Sequence, residues 1–155
     1  MQDTTKILIY TDGASRGNPG PGGYGVVLIW GKIRKELSRG YNLTTNNRME
    51  LMGVIAALEA LKKNNLALLI HSDSSYVVKA FEEGWLTKWI KTDFKGGKKN
   101  KDLWMQFYKL SQNHTINFKW VKGHHTDKNN IRCDELATEA ADGNNLFVDE
   151  GYENE

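Results

Sequence analysis

Ile7-Leu-Ile-Tyr-Thr-Asp-Gly-Ala-Ser-Arg-Gly-Asn-Pro-Gly-Pro-Gly-Gly-Tyr-Gly25 is the stretch whose reading decides the fold. It opens as a run of aliphatic, β-branched and aromatic residues, the composition of a buried central strand. The run is expected to stop on a carboxylate, Asp12, and to pass into a glycine-rich loop containing Pro19 and Pro21. An acid at the end of a buried strand costs free energy unless water, a partner or a metal offsets its charge. Asp-Gly is also ordinary turn chemistry, so Asp12 alone does not decide between a turn and a site.

Outward from this stretch, the 155 residues suffice for one domain with a hydrophobic core. An apolar share of 39% and a charged share of 26% are those of a water-soluble protein, and no run reaches the length of a membrane span. The first residues, Met1 to Lys6, lack the basic-then-apolar layout of a secretory signal. The single cysteine, Cys133, excludes an internal disulfide and a cysteine-only metal cluster. These features predict a cytoplasmic location. The net charge of +2 is unevenly spread: five of the 19 acids, Asp142, Asp149, Glu150, Glu153 and Glu155, lie in the last stretch of chain, leaving a body with 21 basic and 14 acidic groups. A basic body suits an anionic partner such as nucleic acid, although it also describes a well-solvated surface.

The rest of the chain alternates. Residues from Gly22 to about Trp30 and from Ile33 to about Tyr41 read as strands joined by a Gly31-Lys32 hairpin turn. Thr44-Thr-Asn-Asn47 offers capping side chains for a helix from about Asn47 to Lys63. A short apolar run, Leu66 to Ile70, is closed by His71-Ser-Asp73. Helices are expected at Ser74 to Glu83, Trp85 to Lys91, Lys101 to Asn113 and Ile131 to Ala141, with a strand at Ile116 to Val121. One α/β domain over residues 1–142 follows, with residues 143–155 an acidic, loosely ordered tail.

Four acids sit near element ends: Asp12, Asp73 after the fourth strand, and Glu50 and Asp134 in the first turns of their helices. If the first and fourth strands are parallel neighbours, Asp12 and Asp73 emerge at the edge where open α/β sheets bind ligands. Four converging carboxylates require a cation, and hard oxygen donors select Mg²⁺ or Mn²⁺. Two such ions about 4 Å apart suit in-line phosphodiester cleavage. Singly, each acid has a plainer reading: Glu50 and Asp134 as helix-dipole acids, Asp73 as a cap.

Thr11-Asp-Gly13, Gly17-Asn-Pro-Gly-Pro-Gly-Gly-Tyr-Gly25, Thr44-Thr-Asn-Asn-Arg-Met-Glu-Leu51, Ser72-Asp-Ser74, Asp102-Leu-Trp104, Trp120-Val-Lys-Gly-His124 and Arg132-Cys-Asp-Glu-Leu-Ala137 together resemble the ribonuclease HI family, in the same order. The resemblance runs from about Lys6 to Ala141, with Gly-Tyr152 matching in the tail. It implies a ribonuclease H-like fold, a five-stranded mixed sheet flanked by helices on both faces. It also implies a metal-dependent endoribonuclease that cleaves the RNA strand of an RNA–DNA hybrid and leaves 5′-phosphate and 3′-hydroxyl ends. Asp12, Glu50, Asp73 and Asp134 are then the metal ligands, for two Mg²⁺ when substrate is bound, with Mn²⁺ as the alternative.

The family's mobile catalytic histidine maps onto His124, a residue type able to move a proton near neutral pH. His125 follows where a small residue is usual, and Asp127 stands where a second histidine often does, so His125 is a second candidate for the role. Sparing DNA requires sensing the ribose 2′-hydroxyl. The resemblance gives that task to Asn18, Asn46, Asn47, Ser15 and Ser75, with Thr45 beside them. Ser75 replaces a usual glutamine and is shorter. Asn46 and Asn47 also suit helix capping. Lys95, Lys98 and Lys99, followed by Asn100 and interleaved with Trp85 and Trp89, resemble the family's basic protrusion that grips the DNA strand, in a slightly shortened form. Trp104, and with it Trp89, also reads as core. A related two-metal nuclease or strand-transfer enzyme would share the acids without the Asn46-Asn47 pair, and a hybrid-binding module would lack one of the acids. A domain of a reverse transcriptase is the other setting, but the length and Met1 argue for a free-standing protein, and a monomer is expected.

Overall fold

The computed structural model describes residues 6–121 and 127–153. Three strands come first: β1 (Ile7–Ser15), β2 (Gly20–Trp30) and β3 (Ile33–Thr44). They are followed by α1 (Asn46–Glu59), β4 (Ala67–Ser72), α2 (Ser75–Glu82), α3 (Trp85–Lys91), α4 (Lys101–Ser111), β5 (Thr115–Trp120) and α5 (Lys128–Asp142). The chain ends in β6 (Leu146–Phe147) and α6 (Glu150–Glu153).

The sheet order is β5-β4-β1-β2-β3-β6. β1, β2 and β3 form an antiparallel meander, whose second turn is the expected Gly31-Lys32 hairpin between Trp30 and Ile33. β4 and β5 add in parallel on the other side of β1. Strand alternation divides the core. Ile7, Ile9, Val26, Leu28, Leu68 and Ile70 face a large cluster with α1 and α4, around the fully buried Trp104 and Phe107. Tyr10 and Val27 face Cys133 and Leu136 of α5 on the opposite side.

Two expectations about the opening stretch change. β1 does not stop at Asp12 but continues to Ser15, and most of the glycines belong to β2 rather than to a loop. The glycines make room for α5: a Cβ at Gly25 would lie 2.3 Å from the Cys133 carbonyl oxygen, and one at Gly23 2.5 Å from that of Ala137. A composition read as loop chemistry is therefore helix-on-sheet packing chemistry.

The tail also differs. The sheet has six strands rather than five, because Leu146 and Phe147 pair in parallel with Gly40 and Tyr41 of β3. Nor are residues 146–153 loose: Asp149 is buried and its carboxylate pairs with the buried Arg48, 2.7 Å from Nε. Acid-rich composition suggested disorder, but two apolar residues extend the sheet and one acid finds a buried cation.

Candidate active site and substrate channel

The parallel β1–β4 ladder ends at the pair Tyr10↔His71, and Asp12 and Asp73 each lie two residues beyond it. Asp12 is still within β1, where it pairs with Gly25 of β2, and Asp73 follows the end of β4, so both flank the place where the parallel pairing stops. Glu50 arrives from α1, whose N-cap is Thr45; its side chain accepts from the Arg48 N–H. The caps are thus Thr45 and, for α2, Ser74, not Asn46, Asn47 or Asp73. α1 starts at Asn46, one residue earlier than expected, so Glu50 is its fifth residue and lies just past the first turn, where the helix dipole acts.

Carboxylate oxygens of Asp12, Glu50 and Asp73 lie within 4.8 Å of one another. The Gly13 N–H donates to both Asp12 Oδ1 (2.8 Å) and Glu50 Oε1 (2.7 Å), clamping the first two acids. Gly13 must be glycine because a Cβ there would sit 2.4 Å from the Glu50 backbone nitrogen. Asp73 is held through its carbonyl oxygen, which accepts from the Trp120 indole N–H at 3.2 Å. Burial, then the Asp73 carboxylate, pushes Asp12 up to about 7. Burial, then Asp12 and Asp73, holds Glu50 well above the ordinary carboxylate range. Glu50 Oε2 is buried without a hydrogen-bond partner. An all-oxygen donor set of crowded, poorly solvated carboxylates, one with an unsatisfied oxygen, fits a hard divalent cation.

Asp134 lines the same cleft, together with Asn46, Asn47, Ser74, Ser75 and Tyr76. It is exposed and stands outside the tight cluster of three. Because α5 begins at Lys128, N-capped by the Asp127 carboxylate, Asp134 lies in the second turn rather than the first. His124 and His125 lie outside the described residues.

A second concavity adjoins the cleft, sharing Asn47 and Tyr76 with it. It is lined by Asn18, Thr45, Trp85, Trp89, Lys98 and Asn100, among others, including Lys99. Asn18 accepts from the Asn46 backbone N–H at 3.1 Å, tying the loop after β1 to the start of α1. Lys95 and Lys98 line the outer side of the α3 turn, and Lys98 Nζ lies 5.7 Å above the Trp89 ring. The turn is anchored by the buried Phe94. Trp89 is both wall and core: it lines the channel and packs against Tyr76 and Trp104. Ser15, paired with Gly22 at the end of β1, lines neither concavity.

Sequence reasoning missed Tyr76, whose hydroxyl accepts from the Trp104 indole (2.7 Å) and the Asn100 amide (3.1 Å) and so joins channel to core. Trp120 and Tyr152 lie in stretches that carry the family resemblance but had no role assigned to them; the signal for Tyr76 was its position close after Asp73. His71 is structural: it is buried, stacks on Tyr10 at 4.2 Å, and burial lowers its pKa.

The ribonuclease H family model matches residues 4–142. The chain belongs to the ribonuclease H family. It is 48% identical over 151 residues to the ribonuclease HI of a Synechocystis species, covering 94% of each chain. Among solved structures, LC9-RNase H1, a type 1 ribonuclease H, matches with a TM-score of 0.80 and 28% identity over 99% of this chain and 82% of that one. LC11-RNase H1, solved in complex with an RNA/DNA hybrid, matches at 0.64 and 29% over 88% and 97%. As a ribonuclease H, the protein is a nuclease, an endoribonuclease directed at RNA paired to DNA. No helix among the described residues is long and apolar enough to cross a membrane.

Proposed function

We propose that the protein cleaves the RNA strand of an RNA–DNA hybrid at the cleft, with Asp12, Glu50, Asp73 and Asp134 holding Mg²⁺, or Mn²⁺ in its place, two ions when substrate is bound. The observation that carries this reading is the convergence of three carboxylates within 4.8 Å, two with pKa values raised by burial and mutual repulsion. When bound, such ions activate the attacking water and offset charge on the leaving oxygen.

The chain's own groups do the positioning. The Gly13 N–H fixes one oxygen each of Asp12 and Glu50, which leaves their remaining oxygens for the cation. Asn46, Asn47 and Ser75 edge the cleft beside the acids, where amide and hydroxyl groups suit a ribose 2′-hydroxyl as donors and acceptors. Asn18 supports this edge through its bond to Asn46. Ser15 supports β1 rather than touching the ribose. Water adds to phosphorus, the bond to the 3′-oxygen breaks, and His124 is the group assigned to deliver a proton to that oxygen. The products carry 5′-phosphate and 3′-hydroxyl ends. Trp85, Trp89, Lys95, Lys98, Lys99 and Asn100, with Thr45, take the DNA strand along the adjoining channel. The enzyme works as a cytoplasmic monomer.

The test presents one labelled RNA strand as an RNA–DNA hybrid, as double-stranded RNA and alone, each with Mg²⁺ and with EDTA. Metal-dependent cutting of the hybrid alone is the expected result. Cutting of all three would remove the 2′-hydroxyl assignment. No cutting of a bound hybrid would remove the metal assignment.

A further inference from the structure

The tail enters the fold through one side chain. Asp149 is 2% exposed and its carboxylate accepts from Arg48 Nε (2.7 Å), Arg48 Nη2 (3.0 Å), Thr44 Oγ1 (2.6 Å) and the Tyr152 N–H (3.3 Å). Arg48, itself fully buried, donates from its other edge to both oxygens of Asp102 (2.9 and 2.7 Å) and to Asn100 Oδ1 (3.2 Å). One guanidinium therefore joins the tail to the base of the Lys98–Lys99 segment and to the start of α1, the part that carries Asn46, Asn47 and Glu50. Gly151 closes down on this junction: a Cβ there would lie 2.0 Å from Asp102 Oδ2 and 2.5 Å from Arg48 Nη2. The next residue, Tyr152, half-buried, lines the channel beside Asn47, Trp85, Lys98 and Lys99.

We infer that the C-terminal segment is a wall of the substrate channel, with Tyr152 a contact for the sugar-phosphate backbone of the uncleaved DNA strand and Asp149 the residue that positions it. This rests on the reading of the channel given above. The channel's other walls supply lysine charge and tryptophan faces, the pairing that grips a nucleic-acid backbone without reading sequence. A tyrosine adds a rigid apolar face for deoxyribose and a hydroxyl donor for phosphate. Its backbone is fixed before substrate arrives, so little ordering cost falls on binding. The acidic tail thus completes the basic channel instead of competing with substrate for it, because its buried acid is neutralised internally by Arg48.

The test measures affinity for a short RNA–DNA hybrid in EDTA by fluorescence anisotropy, and KM and kcat in Mg²⁺, alongside Tm. Tyr152→Ala is expected to weaken binding and raise KM by about fivefold to tenfold, with kcat within about twofold and Tm unchanged. Tyr152→Phe should recover most of the loss if the ring face dominates and part of it if the hydroxyl shares the contact. Asp149→Asn should raise KM in the same direction while lowering Tm. Val148→Ser, at a 50% exposed tail position off the channel, should leave KM alone. Unchanged affinity in Tyr152→Ala, or an equal loss in Val148→Ser, would overturn the inference. A wild-type protein that fails to cleave hybrid would instead overturn the functional reading beneath it.

Discussion

Gly13 shows how one residue sets the site. Its N–H clamps two carboxylates, and its missing side chain lets β1 press against the backbone of α1. Gly13→Ala would put a Cβ 2.4 Å from the Glu50 nitrogen, a backbone atom that cannot swing aside. The helix must shift, so the variant should lose about 1–3 kcal/mol of stability, the usual scale for overpacking. It should also lose most of its cleavage activity, because Glu50 moves relative to Asp12. Urea denaturation and a hybrid-cleavage assay measure the two effects separately. A variant stable and active as the parent would show that α1 can yield at no cost.

At the scale of elements, the α3 turn and its following residues carry the charge that the substrate meets. Replacing Lys95, Lys98 and Lys99 by Ala should raise KM and lower its salt slope by about one for each phosphate no longer neutralised, with kcat little changed. An unchanged slope, read from KM across a salt series, would remove these lysines from the binding surface. The Arg48 junction is the second element-level feature, since it connects α1, α4 and the tail. Burial alone would lower its pKa, but its hydrogen bonds to Asp102 and Asp149 outweigh that and hold it above its ordinary value. Arg48→Met removes the cation and leaves Asp149 charged and buried. Breaking one side of such a pair costs about 3–5 kcal/mol, so the midpoint of chemical unfolding should fall sharply. A loss under about 1 kcal/mol would mean that water reaches Asp149 readily.

For the whole molecule, the site is a source of instability until a cation binds. Asp12 titrates near 7 in the folded chain against an ordinary value of 3.8, so over that interval the folded state holds more protons than the unfolded one. Stability of the metal-free protein should therefore fall as pH rises from about 4 to 7, by this group's contribution, and stay low above it. Mg²⁺ should raise Tm at pH 8 far more than at pH 5, as mass action on the folded state requires. Asp12→Asn should abolish cleavage, raise the metal-free Tm at pH 8 by several degrees, on the order expected from about 1–2 kcal/mol, and flatten the pH dependence. Differential scanning calorimetry in EDTA and in Mg²⁺ across that pH range, with a cleavage assay beside it, checks all three. A lower Tm for Asp12→Asn at pH 8 would show that its carboxylate is a structural partner rather than a repelled one.

The sequence by itself determined the order of elements from β1 to α5, the hairpin at Gly31-Lys32, the identity of the acids and the family, because strand alternation, turn chemistry and motif spacing are local properties of the chain. Only the tertiary structure decided which acids meet. Asp12 and Asp73 are neighbours because β4 pairs in parallel with β1 in a particular register, and Asp134 reaches the same cleft from α5, which packs through Cys133 and Leu136 on the other face of the sheet. The same holds for the glycines of β2 and for the tail. A glycine that admits a helix has the composition of one that makes a loop, and an acid bound for a buried arginine looks like any solvated acid. Arg48 and Asp149 are far apart in sequence and their pairing is a property of packing, which no local pattern encodes.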